Sequence, residues 1–181
     1  GIKSICRKAG IDHRLFILTD AGNEAAAAIE AVRMTRSGEA DIVMKGLVGT
    51  DIFLREVMDK IRGLMLPGSL MSYVCALQLP SYHKLLFITD PAVIPEPSLE
   101  QKISMTEYAV GMAMRFGIKK PKIALISASE KPSRHFRSSP DYEEMCRLSR
   151  SGAFADCIMD GPLDIFLACD RKSVEIKGVE T

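Results

Sequence analysis

What this chain lacks narrows it quickly. Neither charge is in excess: 24 lysines and arginines stand against 23 aspartates and glutamates, a formal net charge of +1. A nucleic-acid footprint or a polybasic membrane patch needs a surplus of cations, so neither partner is expected. Apolar runs such as Ala25–Ile29 and Leu85–Ile88 fall far short of the roughly 20 residues a membrane helix requires. No signal-peptide pattern opens the chain. The five cysteines, Cys6, Cys75, Cys146, Cys157 and Cys169, contain no CxxC spacing. The three histidines, His13, His83 and His135, are too scattered to suggest a metal-ligand set, so no metal is expected. An odd, unpatterned set of thiols reads as reduced cysteine in a cytoplasmic protein. There is no initiator methionine. Gly1 runs directly into Ile2–Ala9, which reads as the end of a helix, so the chain is expected to be the middle of something longer.

What is present supports a folded domain of ordinary size or parts of two: 181 residues, 47% of them apolar. Short continuous apolar runs alternate with helical patterns. Ile2–Ala9 reads as a helix stopped by Gly10, and Leu15–Leu18 as a buried strand. Asn23 is placed to cap a helix with the face Ala25, Ala28, Ile29 and Val32. Asp41–Met44 is again strand-like. The loop Lys45–Gly49 follows, then a helix capped by Thr50 or Asp51 and closing near Gly63. Pro67-Gly68-Ser69 breaks the pattern and sets the expected domain boundary, 1–66 against 67–181. Beyond it, Leu70–Leu79 and Leu85–Thr89 are close enough to form a hairpin. Ser98 with Gln101 is a capping box for a long helix ending at Gly117. Ile123–Ile126 is a strand, Pro140–Arg150 a helix and Cys157–Met159 a strand, and Leu163–Ala168 opens a last helix. Helices between buried runs predict an α/β fold, three-layered with mostly parallel sheets. In such sheets ligands bind outside the carboxyl ends of strands.

The loops after strands therefore hold the candidate residues. Lys45-Gly46-Leu47-Val48-Gly49-Thr50-Asp51 leaves a strand and enters a helix, where free N–H groups attract anions. It is neither a Walker P-loop nor GxGxxG. By itself the segment is equally a turn whose glycines serve only geometry. Arg55 can turn its planar fork toward a phosphate at this loop, though alone it reads more simply as a surface arginine paired with Asp51 or Asp59. Asp90, at the end of the second hairpin strand, can orient a ligand or satisfy loop N–H groups, which is the commoner use. Ser127, Asp160 and Gly161 occupy similar places after later strands. No Ser-His-Asp or Cys-His arrangement can be argued from spacing, so residues alone lead to an α/β protein with an anion-binding cleft.

Four segments taken together go further: Gly38–Val48, Leu86–Val93, Pro97–Lys102 and Asp156–Leu163 with its Asp-Gly-Pro-Leu ending. In order and spacing they resemble the phosphate acetyl/butyryltransferase family, most closely its butyryltransferase branch, truncated here at both ends. The resemblance implies two α/β domains, both incomplete here, with a cleft between them bearing the loop 45–51. It implies the reversible reaction of acyl-CoA with phosphate to give acyl phosphate and coenzyme A. Coenzyme A is then a substrate, and neither a cofactor, a metal nor a covalent acyl-enzyme is called for. Lys45, Gly46 and Thr50 match the family's cleft loop and Arg55 an arginine near the phosphate. Gly49 stands where relatives often carry histidine. The family's Ser/Arg/Asp group would fall beyond Thr181, so the catalytic residues are not assigned and this chain alone is expected to lack full activity. A homodimer is also implied. The alternative from the same resemblance is a non-catalytic acyl-CoA-sensing module like that appended to malic enzymes.

Overall fold

The computed structural model describes residues 1–131, 136, 138–154 and 157–178. Asp156 and Thr181 lie outside the described residues. The chain divides into two compact units, Gly1–Ser69 and Leu70–Thr181.

In the first unit, helix α1 (Ile2–Lys8) is followed by a 3-10 turn at His13–Leu15, whose Asp12 accepts from the Arg14 N–H at 3.0 Å. Helix α2 (Glu24–Arg36) starts as expected, with the Asn23 side chain accepting from the Ala26 N–H at 2.9 Å. Its buried residues are Ala28 and Val32, and α3 (Thr50–Val57) packs against it. Arg36 donates to the Gly63 carbonyl at 2.7 Å and so closes the segment after α3 onto α2. The two strands expected at Leu15–Leu18 and Asp41–Met44 are absent. Leu15 ends the 3-10 turn, both segments then run without a ladder, and Ile17 is 94% and Met44 87% exposed. An apolar run becomes a strand only when a neighbour takes up its backbone N–H and C=O groups, and among the described residues no neighbour does. The cap of α3 also differs: Gly49 holds the N-cap position, with no side-chain cap, and Thr50 is the first helical residue.

The second unit contains two two-stranded sheets. β1 (Val74–Leu77) and β2 (Leu86–Thr89) form the expected antiparallel hairpin, with Val74 opposite Thr89 and Leu77 opposite Leu86. Helix α4 (Leu99–Arg115) carries the expected capping box from Ser98 and Gln101 and packs on β2. At its end Phe116 meets Phe87 edge-on, with centroids 5.3 Å apart. β3 (Lys122–Ile126) and β4 (Ile158–Leu163) pair in parallel, and α5 (Ser139–Arg150) lies against β4. The core of this half is Leu125, Met145 and Cys146, walled by Ile103, Tyr142 and Met159 among others. Burying a side chain such as Met145 contributes about 2–3 kcal/mol. Lys102 on α4 joins Asp141 on α5 at 2.5 Å. Short helices α6 (Ile165–Cys169) and α7 (Arg171–Lys177) follow, with Asp164 and Asp170 capping them. One ladder is antiparallel and one parallel, which makes this a mixed α/β chain.

The main departure in this unit concerns Asp160 and Gly161. They were expected in a loop after Cys157–Met159, yet both lie inside β4, which runs on to Leu163. The ladder carries a register shift between Ala124 and Ile126, where Gly161 sits at φ +155°. A Cβ on Gly161 would stand 2.5 Å from the Leu125 Cβ and 2.9 Å from its carbonyl oxygen. Glycine is here because β3 approaches too closely for any side chain.

Candidate functional site

The loop ahead of α3 holds Lys45, Gly46 and Thr50 together, and its local bonding is specific. The Lys45 ammonium folds back and donates to the carbonyls of Gly46 at 3.2 Å and Val48 at 2.9 Å. Those two acceptors curl the loop around one cation, which stays exposed at the loop. The Gly49 N–H donates to a Glu24 carboxylate oxygen at 3.2 Å. A carboxylate thus already sits at the entrance to α3, where the unsatisfied N–H groups of a first helical turn and their partial positive charge favour an anion. Asp51 folds toward the same place, since a Cβ at Gly49 would meet its Oδ1 at 2.8 Å. Thr50, at the first helical position, is exposed.

Arg55 lies in the last turn of α3, not at its start. Its Nε donates to Glu56 at 3.3 Å, and its side chain is 66% exposed. The structure therefore pairs Arg55 with Glu56 instead of Asp51 or Asp59, through one long contact that leaves most of the guanidinium fork accessible. Asp59 instead accepts from the Ile61 and Arg62 N–H groups, at 2.9 and 2.6 Å.

In the second unit, Asp90 is occupied by backbone. Its carboxylate accepts from the N–H groups of Tyr73 at 3.0 Å, Ala92 at 2.9 Å and Val93 at 2.8 Å. It pins the loop after β2 and ties it to the residue preceding β1. Burial alone would raise this carboxyl, but the Val93, Ala92 and Tyr73 donors, helped by the Ser72 hydroxyl, outweigh it and hold it below the ordinary range. Ser127 follows β3, and its N–H donates to the Leu163 carbonyl at 2.8 Å, extending the contact between β3 and β4 by one residue. The Asp160 carboxylate accepts from the Gly161 N–H at 2.9 Å, and Cys146 Sγ donates to the Gly161 carbonyl at 3.7 Å. Burial pushes the Cys146 thiol up and the charge of Asp160 adds to this, against a smaller opposing effect of Arg150. Ser127, Asp160 and Gly161 are thus neighbours on one parallel pair, while Asp90 belongs to the other sheet. Sequence reasoning missed Glu24. It lies 25 residues from Gly49, and nothing in its surroundings marks it as other than a first-turn helix glutamate.

A mixed α/β chain with a lysine-gripped glycine loop leading into a helix is a scaffold able to hold a small anion. The Phosphate acetyl/butaryl transferase profile matches residues 19–181. The chain belongs to that family. Phosphate butyryltransferase of Clostridium acetobutylicum is 37% identical over 98% of this chain and 59% of its own length. Phosphate acetyltransferase of Rhizobium meliloti is 29% identical over 97% of this chain and 56% of its own. Among solved structures, a branched-chain phosphotransacylase from Enterococcus faecalis V583 superposes with a TM-score of 0.83 at 28% identity, covering 94% of this chain and 60% of that one. The chain therefore spans somewhat more than half the length of the relatives it matches. No described helix is long and apolar enough to cross a membrane.

Proposed function

We propose that the protein to which this chain belongs transfers an acyl group of the acetyl/butyryl class reversibly between coenzyme A and inorganic phosphate. The observation that carries the reading is the family match over residues 19–181, supported by 37% identity to a phosphate butyryltransferase. In that protein the regions 1–66 and 67–181 belong to two three-layered α/β domains with mostly parallel sheets. It works as a cytoplasmic homodimer, with acyl-CoA, phosphate and acyl phosphate as its small-molecule substrates.

The chemistry asks little of the residues themselves. A phosphate oxygen attacks the thioester carbonyl carbon, the carbon–sulfur bond breaks, and the coenzyme A thiolate leaves and takes a proton. The chief requirements are to hold a multiply charged anion and to orient it, which proximity and fixed positive charge supply. The loop at Lys45, Gly46 and Thr50 receives the phosphate at the start of α3, and Arg55 swings from its single contact with Glu56 to add a bidentate one. Asp90 shapes the loop after β2, and Ser127, Asp160 and Gly161 line a secondary position on the β3–β4 pair.

The test is turnover of butyryl-CoA and acetyl-CoA with phosphate, following thiol release, in the full reading frame that encodes this chain. Release that depends on phosphate supports the reading. Binding of acyl-CoA with no phosphate-dependent release overturns it and favours the sensing module. Calorimetry then tests the loop: Arg55→Ala and Lys45→Ala should each weaken phosphate binding about tenfold, the loss expected for one partly desolvated charge-assisted contact. Arg55→Lys should recover only part of that loss. Unchanged affinity in all three removes these residues from the site.

A further inference from the structure

In a parallel pair such as β3–β4, the carboxyl ends are where a ligand is met, and here they are held by several separate contacts. The Tyr142 hydroxyl on α5 donates to the Ile126 carbonyl at 3.1 Å, and the Ser127 N–H donates to the Leu163 carbonyl at 2.8 Å. The base of the loop after β3 is therefore fixed from both sides. Beyond Ser127 the loop turns on itself, with the Ser129 hydroxyl accepting from the Lys131 N–H at 3.1 Å. Inside that turn, the Glu130 carboxylate reaches the Lys177 ammonium at 3.5 Å.

Lys177 comes from the last turn of α7, and it also donates to Oδ2 of Asp164, 13 residues earlier. Asp164 directly follows β4, and its Oδ1 already caps α6 through the N–H groups of Phe166 at 2.8 Å and Leu167 at 3.0 Å. The cap is complete without the lysine. What the lysine adds is a link, because one ammonium with three hydrogens to give joins the residue after β4 to the loop after β3. The Glu130 and Lys177 side chains are 30% and 40% exposed, so the link is worth little to the fold as a whole. Its consequence is local: it limits how far the loop opens away from the strand ends. Two carboxylates around one ammonium leave the join with a net negative charge, a poor seat for a phosphate dianion. Ile126 and Ile165, at the end of β3 and the start of α6, are exposed at the same strand ends and suit an uncharged chain instead.

We propose that Lys177 is a positioning residue: by bridging Asp164 and Glu130 it holds the loop after β3 at the strand ends for the uncharged acyl-thioester arm of acyl-CoA. The proposal rests on the substrates proposed above, with phosphate taken by the loop 45–51. The test uses the full reading frame that encodes this chain, and follows hydrogen exchange over residues 127–131 beside calorimetric titration with butyryl-CoA and with phosphate. Lys177→Met should speed that exchange about threefold and weaken butyryl-CoA binding about threefold, the scale of one half-exposed ion pair, with phosphate affinity unchanged. Lys177→Arg keeps the charge and should restore both. Glu130→Gln cuts the link from the loop side, leaves Asp164 and its cap intact, and should reproduce Lys177→Met; it decides the matter if Lys177→Met folds poorly. Unchanged exchange in Glu130→Gln overturns the link. Faster exchange with unchanged butyryl-CoA affinity, or equal losses for both ligands, overturns the positioning role. These readouts are of binding, so a protein that binds butyryl-CoA without phosphate-dependent thiol release loses the transfer reading and leaves Lys177 its role. A parent that binds no butyryl-CoA overturns both.

Discussion

The two units of this chain respond differently to the same kind of sequence. Leu15–Leu18 and Ile42–Met44 in the first are as apolar as Leu86–Ile88 and Ile123–Ile126 in the second, yet only the latter are strands. In the second unit each run has a partner for its backbone groups and a helix over one face: α4 packs on β2, and Leu125 of β3 packs against Met145 and Cys146 of α5. In the first, α2 and α3 pack together while the apolar runs lie open, with Ile17 and Met44 almost wholly exposed. Apolar character alone does not make a strand. The hydrophobic gain arrives only with a covering layer, and the ladder only with a neighbour.

The sharpest way to test that contrast is a pair of glycines. Gly161→Ala in β4 drives a Cβ to 2.5 Å from the Leu125 Cβ. Overpacking and backbone strain together should cost about 3–5 kcal/mol in urea unfolding. Gly46→Ala, where a Cβ meets nothing within 4 Å, should stay within about 0.5 kcal/mol. Equal losses would remove the distinction between the close-packed ladder and the open loop.

A second pair probes burial. Met145 is 1% exposed at the centre of the β3–β4 core, whereas Ile17 is 94% exposed. Met145→Ala should destabilise by about 2–4 kcal/mol through lost transfer energy and the cavity left behind. Ile17→Ala should change stability by less than about 0.5 kcal/mol, because no packing is lost. A large loss at Ile17 would mean that the first unit buries this run under the conditions measured.

Helix starts were legible in the sequence because their signals are local. Asn23, Ser98 and Gln101 make the bonds their spacing predicts, within three residues of themselves. The hairpin was legible for a related reason, two β-rich runs joined by a short polar turn. Asp160-Gly161-Pro162 reads as a turn because its composition is that of one, while the demand for glycine comes from Leu125, 36 residues earlier in the chain. The loop 45–51 was visible as a strand-to-helix transition, but its strand was not formed, and the cap it was assigned belongs to Gly49 instead. Glu24 was invisible, since only tertiary packing brings α2 to the head of α3.

Asp90 offers a smaller effect with a defined pH dependence. Asp90→Ala should cost about 1–2 kcal/mol, because three backbone N–H groups lose their acceptor in a partly solvated place. The folded protein holds this carboxyl below its unfolded value, near 3.8. Its contribution is therefore complete above that value and fades as pH falls through the lower folded one. The stability gap between parent and Asp90→Ala should be flat from neutral pH down to about 5 and shrink below about 4. A gap that stays constant into strong acid would show that the loss reflects packing rather than the ionised carboxylate.

The smallest expected effect concerns Glu24, and it bears directly on whether the head of α3 receives phosphate. Its carboxylate holds the Gly49 N–H at 3.2 Å and adds a negative charge where the incoming anion would sit. Glu24→Gln keeps an oxygen able to accept the same bond and removes only the charge. If the loop is the phosphate site, this change should tighten phosphate binding about two- to threefold at low ionic strength, the scale of one exposed charge in high dielectric. The gain should disappear in 1 M salt, where the screening length falls to about 3 Å. Glu24→Ala removes the bond as well, so it should give a smaller gain or none. Calorimetric titration with phosphate at both ionic strengths separates these outcomes. An affinity that Glu24→Gln leaves unchanged at low salt, in a protein that does bind phosphate, places the anion away from the start of α3.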